Sequence, residues 1–123
     1  MTVVTRSEEE TGDVAARIAA TLVAGDVLLL SGNLGAGKTA FVRGLAAGLG
    51  IDPDEVSSPT FALMQEYRSG RVPLLHVDLY RVESPRDVDE LGLDELGEQA
   101  VLAIEWAERL PRPVPGAVAV ELA

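Results

Sequence analysis

A chain of 123 residues with 47% hydrophobic content carries enough apolar material for one packed domain, expected to span residues 1–123. Its 20 acidic residues against 10 basic ones leave a net charge of −10, a field that repels a phosphate backbone, so tight direct binding of nucleic acid would need a partner to supply positive charge. With no cysteine and one histidine, disulfides and thiolate metal sites are excluded and zinc chemistry is not expected.

In chain order, "MTVVTRSEEE" turns acidic at once and fits neither a signal peptide nor a transit peptide. Ser7-Glu8-Glu9-Glu10 has the form of a capping box, with three acids in a first turn where the helix dipole favours them. Val14, Ile18 and Leu22 then recur at i, i+4 and i+8 as one apolar stripe, and Gly25 is the expected end of this first helix. "DVLLLSG" is too short for a helix and reads as a strand buried on both faces; it is also far below the roughly 20 residues that span a bilayer. A soluble cytoplasmic protein without membrane contact is the expectation.

A glycine loop follows, then a helix expected over Lys38 to Leu49 and closed by Gly50. Beyond the polar loop "IDPDEVSSPT", the segments "FALMQEY" and "VPLLHVD" read as strands joined through "RSGR" in a hairpin. Ser84 and Pro85 open a short helix with Asp87 in its first turn, interrupted at Gly92 and resumed to about Gly97. "AVLAIEW" is a further buried strand, "RLPRPVPG" a rigid connector, and "AVAVEL" a last strand. Helices alternating with fully apolar strands imply an α/β sandwich whose sheet is mostly parallel, with at least one antiparallel strand from the hairpin.

The segment from Gly32 to Thr39, "GNLGAGKT", matches G-x-x-x-x-G-K-[ST] between a hydrophobic strand and a helix, the context that this phosphate-binding motif requires. Gly32, Gly35 and Gly37 let successive backbone N–H groups turn toward phosphate oxygens at a helix N-terminus. Lys38 is the only lysine in a chain that otherwise uses arginine. A compact ammonium on a flexible stem reaches β and γ phosphates where a planar guanidinium fork would not fit. Thr39 offers a hydroxyl to magnesium, and the run Asn33, Leu34, Gly35, Ala36, Gly37, Lys38, Thr39 and Ala40 forms the nucleotide-binding stretch. The fold expected is therefore a P-loop NTPase-like three-layer sandwich.

Magnesium on a nucleotide usually takes carboxylate help. Asp78 ends "PLLHVD" and Glu105 ends "VLAIE", both at the carboxyl ends of apolar strands where open α/β sheets bind ligands. At least one of them is expected at the metal or its waters. The segment Ser57 to Phe61, "SSPTF", reads either as an ordinary proline turn or as a switch in which Thr60 senses the γ-phosphate or its magnesium. His76, inside an apolar strand, reads as a satisfied core histidine. Arg81 reads equally as a phosphate-stabilising or a surface group, and Trp106 as packing beside Glu105. The absence of N-K-x-D, and of a D-x-x-G where Asp78-Leu79-Tyr80-Arg81 stands, argues against a standard GTPase. With no arginine-rich lid, a small-molecule kinase is disfavoured, although a small kinase and a nucleotide-dependent adaptor both stay open.

"GNLGAGKT", "SSPTF", "HVDLYR" and "AIEW", in this order and spacing, resemble the bacterial TsaE (YjeE) family of small P-loop ATPases required for threonylcarbamoyladenosine in tRNA. The resemblance runs from about Glu8 to Trp106. It implies ATP as the nucleotide, slow hydrolysis, Thr39 and Glu105 as magnesium ligands, Asp78 at the Walker-B-like position and Thr60 at the switch position. It makes Lys38, Thr60, Asp78 and Glu105 the residues of catalysis. It also implies a TsaB–TsaD heterodimer as partner, with tRNA met only through that complex and the chain alone a monomer.

Overall fold

The computed structural model describes every residue except Met1, Asn33, Leu34, residues 57–63, Arg81, Glu83 and Ala123; Gly35, Ala36 and Pro53 are described by their backbone alone. In chain order the elements are β1 (Thr2–Val3), α1 (Glu8–Ala19), β2 (Val27–Gly32), α2 (Gly35–Gly48), a 3₁₀ turn (Pro53–Glu55), β3 (Met64–Tyr67), β4 (Leu74–Asp78), α3 (Pro85–Glu90), α4 (Leu93–Gly97), β5 (Val101–Glu105), a second 3₁₀ turn (Ala107–Arg109) and β6 (Val118–Leu122). One six-stranded sheet has the order β1-β6-β2-β5-β4-β3. Only the β3–β4 pair is antiparallel, as the hairpin reading expects.

The face toward α1 and α2 is built from Leu28 and Leu30 of β2, Leu74 of β4, Val101 and Ala103 of β5 and Val120 of β6, with Phe41, Leu45 and Leu49 of α2 closing over them. Ser7 caps α1 as expected, accepting from the Glu10 N–H at 3.1 Å, an interaction worth about 1 kcal/mol. The Glu10 carboxylate reaches back to the Arg6 N–H (3.4 Å) rather than to Ser7, one residue off a regular capping box.

The stripe on α1 is displaced from the expected one. Its buried positions are Thr11, Ala15 and Ala19, and Val14 and Ile18 are only partly buried beside them; Leu22, the third expected position, is buried but lies past the end of the helix. The reason lies across the interface. A Cβ added at Gly44 would come within 2.7 Å of both the Gly12 Cα and the Ala15 Cβ, and one at Gly48 within 2.6 Å of the Ala19 Cβ. The two helices meet almost backbone to backbone, so the seam admits only small side chains and the branched ones are pushed to its flanks.

The helix ends also differ from the sequence reading. α1 stops at Ala19, whose carbonyl accepts from the Arg71 guanidinium (3.1 Å), as does that of Leu22 in the turn beyond (3.1 Å); Gly25, at φ +98°, instead turns the chain into β2. α2 begins at Gly35, three residues earlier than expected, because the second half of the glycine loop is already helical. On the opposite face Leu75, Val77, Leu102 and Ile104 pack under α3 and α4 with Val88 and Leu93. Ser84 caps α3 with Pro85 in its first turn, and Gly92, left-handed at φ +68°, separates it from α4. No helix among the described residues is long and apolar enough to cross a membrane.

Candidate functional site

The sheet's register brings the sequence candidates together. Leu30 of β2 is paired with Glu105 of β5, and Asp78 of β4 is paired with the same Glu105. The glycine loop leaves β2 two residues beyond Leu30, so loop, Glu105 and Asp78 share the carboxyl edge of three neighbouring parallel strands. β2 lies there between β5 and β6, an arrangement in which open α/β sheets bind ligands at the strand ends.

Alternation along each strand decides which way these side chains face. His76 and Asp78 share a face with Leu74, while Ala103 and Glu105 share it with Val101; this is the face covered by α2. Both carboxylates thus lie on the side where α2 begins. The first N–H groups of a helix have no intrahelical acceptor, and together with the helix dipole they suit an anion.

Gly32 is fixed by two independent constraints. Its φ of +134° is closed to residues with a side chain, and a Cβ there would collide with the Leu122 carbonyl and lie 3.2 Å from the Leu122 Cβ. Lys38 and Thr39 follow in the first turns of α2, both half-buried, and Ala40 is buried beneath them. The Lys38 Nζ lies 5.6 Å from the centre of the Trp106 ring, within cation–π range.

Trp106 is the only non-glycine residue with positive φ among the described residues (φ 60°, ψ 44°). A left-handed tryptophan costs on the order of 1–2 kcal/mol, which the surroundings must offset. Its ring sits 5.0 Å from that of Tyr80, and the Arg109 guanidinium covers both, at 5.6 and 5.9 Å. Arg109 also donates to the Val82 carbonyl at 2.8 Å. The kink after Glu105 therefore swings an indole across the end of β5, between Lys38 and Tyr80 in the segment that follows Asp78.

Glu105 is buried, 9% exposed, and its Oε2 lies 2.6 Å from the Nε2 of His76, itself 1% exposed. Since the carboxylate can only accept, the ring proton in this bond sits on Nε2. The other ring nitrogen, Nδ1, has no hydrogen-bond partner among the described residues. Asp78 is half-buried and accepts from the Tyr80 N–H at 3.0 Å, a turn that closes the end of β4. The Leu79 N–H extends the β4–β5 ladder by one bond, to the Glu105 carbonyl at 3.2 Å.

Of the expected site residues, Gly37, Lys38, Thr39, Ala40, Asp78 and Glu105 fall at this one edge, with the backbone of Gly35 and Ala36. Asn33, Leu34, Thr60 and Arg81 lie outside the described residues. The His76–Glu105 bond and the Trp106–Tyr80–Arg109 stack were not read from the sequence. Strand parity held the signal for the bond: once β4 and β5 are neighbours, His76 and Glu105 must share a face. The described residues hold no cluster of three His, Asp or Glu side chains able to cage a metal without help. A groove of about 740 Å³ on the opposite face, lined by Leu93, Leu102, Leu110 and Arg112, is remote from these groups, and the site is placed on chemistry rather than on cavity size.

The family model described as "Threonylcarbamoyl adenosine biosynthesis protein TsaE" matches residues 5–123. The chain belongs to the TsaE family. It is 47% identical over 109 residues to the tRNA threonylcarbamoyladenosine biosynthesis protein TsaE of Nostoc sp. (strain PCC 7120), covering 85% of this chain and 66% of that one. The TsaE proteins of Bacillus subtilis and Treponema pallidum are 46% and 42% identical, over 90% and 94% of this chain and 69% and 84% of theirs. The chain thus spans about two thirds of the length of the first of these TsaE relatives. The crystal structure of Bacillus subtilis YdiB superposes with a TM-score of 0.66 at 43% identity, covering 87% of this chain and 67% of YdiB. The TsaE fold expected from the motifs, a mostly parallel sheet between helices, is the fold observed.

Proposed function

We propose that this TsaE-family chain binds magnesium–ATP, hydrolyses it slowly, and serves as an accessory of the machinery that makes threonylcarbamoyladenosine in bacterial tRNA, acting with a TsaB–TsaD heterodimer. The observation that carries the reading is the convergence of the Gly32–Thr39 loop, Asp78 and Glu105 on one strand edge at the start of α2. The names of the relatives add the pathway.

The chain's own groups divide the work. N–H groups of the first turn of α2 cradle phosphate oxygens, and Lys38 places a point charge on the β and γ phosphates. The donor set suits magnesium: a hydroxyl from Thr39 and a carboxylate from Glu105 are hard oxygen ligands, too few to cage the ion without phosphates and water, as is usual for nucleotide-bound magnesium. Bound there, the ion would neutralise charge developing on the phosphates. Asp78, beside Glu105, adds a second acceptor at the Walker-B-like position. In this reading Thr60 senses the γ-phosphate. The charge of −10 fits a protein that leaves the gripping of tRNA to its partners and works in the cytoplasm, as a monomer when alone.

Trp106 is the only tryptophan, so intrinsic fluorescence reports this site alone. Drawing the Lys38 ammonium from the indole onto phosphate oxygens is expected to change the emission as ATP is titrated. Emission that stays constant while calorimetry shows ATP binding would dissociate Trp106 from the nucleotide site.

The function itself is tested by phosphate release from ATP with the chain alone, with a TsaB–TsaD heterodimer, and with that heterodimer and tRNA. Slow release alone and a rise of roughly tenfold or more with the heterodimer are expected, equivalent to about 1.4 kcal/mol off the barrier. Transfer of the γ-phosphate to a metabolite or polypeptide, with no response to the heterodimer, would make the protein a kinase instead.

A further inference from the structure

The β4 pattern raises a question that the phosphate loop does not answer. Leu74, Leu75 and Val77 are buried aliphatic residues, and between them stands a histidine 1% exposed. An aliphatic side chain would fill the same space with no polar atom to satisfy, whereas the imidazole leaves Nδ1 without a partner among the described residues. What the imidazole adds is one bond, from Nε2 to Glu105 Oε2 at 2.6 Å. Glu105 ends its strand and is itself buried, so its carboxylate requires a donor, and a glutamate has three side-chain torsions to be fixed.

We infer that His76 is a positioning residue: its Nε2–H fixes Oε2 of Glu105 so that the second oxygen, Oε1, is presented to a divalent cation on the nucleotide. The inference rests on the proposed role of Glu105 as a magnesium ligand. It assigns the histidine a task by the logic that governs metal sites generally, in which a ligating carboxylate is held by a hydrogen bond from behind. Register supplies the geometry. His76 pairs with Ala103, two residues before Glu105 on the same face, so the ring reaches the carboxylate diagonally from the neighbouring strand β4.

The test separates metal from nucleotide. Affinity for a non-hydrolysable ATP analogue is measured by calorimetry in magnesium and in EDTA, and the ratio of the two is the magnesium advantage. His76→Phe, which fills the space without a donor, is expected to lose roughly tenfold or more of that advantage, as Glu105→Gln does. Binding in EDTA, which relies on Lys38 and the loop, should be unchanged in His76→Phe and certifies its fold, whereas Glu105→Gln, which removes a negative charge facing the phosphates, should bind no more weakly in EDTA than the unaltered chain. His76→Gln, whose amide nitrogen reaches to about the Nε2 position, should keep most of the advantage. Should His76→Phe lose binding in EDTA as well, His76→Met takes its place, filling the space with a flexible apolar chain. A donorless variant that weakens binding equally in both conditions, or a Gln variant no better than Phe, reduces His76 to packing. A donorless variant with the full magnesium advantage beside a Glu105→Gln that lacks it overturns this inference alone. A Glu105→Gln that keeps the advantage overturns the metal role of Glu105 and this inference with it.

Discussion

ATP turnover by Lys38→Ala should fall by about 100-fold or more, the scale on which a preorganised charge or donor at a reacting phosphate or oxyanion contributes. Lys38 is the chain's only lysine and stands at the first turns of α2, beside Glu105 and Asp78 at the strand ends. Its removal should barely touch stability. The side chain is half-buried and its recorded contact is the Trp106 ring, a cation–π pair worth about 0.5–1 kcal/mol at a partly exposed site. The loop's N–H groups remain, so weak nucleotide binding should persist while hydrolysis does not. Lys38→Arg should restore little, because a planar fork cannot stand in for a compact ammonium in a tight loop. Phosphate release and a thermal melt on the same samples check both halves. Turnover close to wild type in Lys38→Ala would remove the lysine from the reaction.

The second large effect falls on the fold. Gly44→Val would drive a branched side chain into the Gly12 backbone and the Ala15 methyl, each 2.7 Å from the position of a Cβ. Neither neighbour is a side-chain end that can swing away. The helices must separate, opening the core beneath Phe41 and Leu45 as well. Overpacking of this kind costs roughly 3 kcal/mol, near the top of the usual range. That corresponds to a fall in melting temperature of about 10 °C or more for a domain of this size. Ala47→Val, on the exposed side of the same helix, controls for helix propensity and should cost about 0.5 kcal/mol. Equal melting temperatures for the two variants would overturn the close α1–α2 approach as the limit on side-chain size at Gly44.

What could be read from the sequence divides by range of interaction. The Ser7 cap, the β2 strand, the β3–β4 hairpin and the break at Gly92 follow from local chemistry, and each is found where its residues announce it, although β2 buries Leu28 and Leu30 fully and Val27 and Leu29 only in part, rather than both faces. The Gly32–Thr39 motif stood out in the sequence because its glycines, lysine and threonine lie within eight consecutive residues. The α1 stripe differs because a sequence shows hydrophobicity, while the seam is set by how closely a second helix approaches; Gly44 and Gly48 carried that information 30 and 34 residues beyond Val14, where the expected stripe begins. The His76–Glu105 bond, which strand parity allows, could not be read out for a related reason. It depends on β4 and β5 being neighbours in register, and nothing in either strand alone announces the other. Left-handed Trp106 has no local signal either, since nothing in the residue type calls for that backbone.

The seam between α1 and α2 bears on how such a site can move. Helices packed through long side chains slide past one another by changing rotamers, but helices in backbone contact have no such slack. The N-terminal end of α2 is therefore braced against translation by a contact two and three turns down its length. A phosphate bound there would meet a stationary wall. Among the described residues, the groups facing that end with more room to rearrange are those after β4 and β5, where Tyr80, Trp106 and Arg109 form a stack of exposed and half-exposed side chains over short turns. If the proposed nucleotide site holds, one wall of it is braced and the other is free to yield, and a partner protein sensing the nucleotide would gain most from touching the latter.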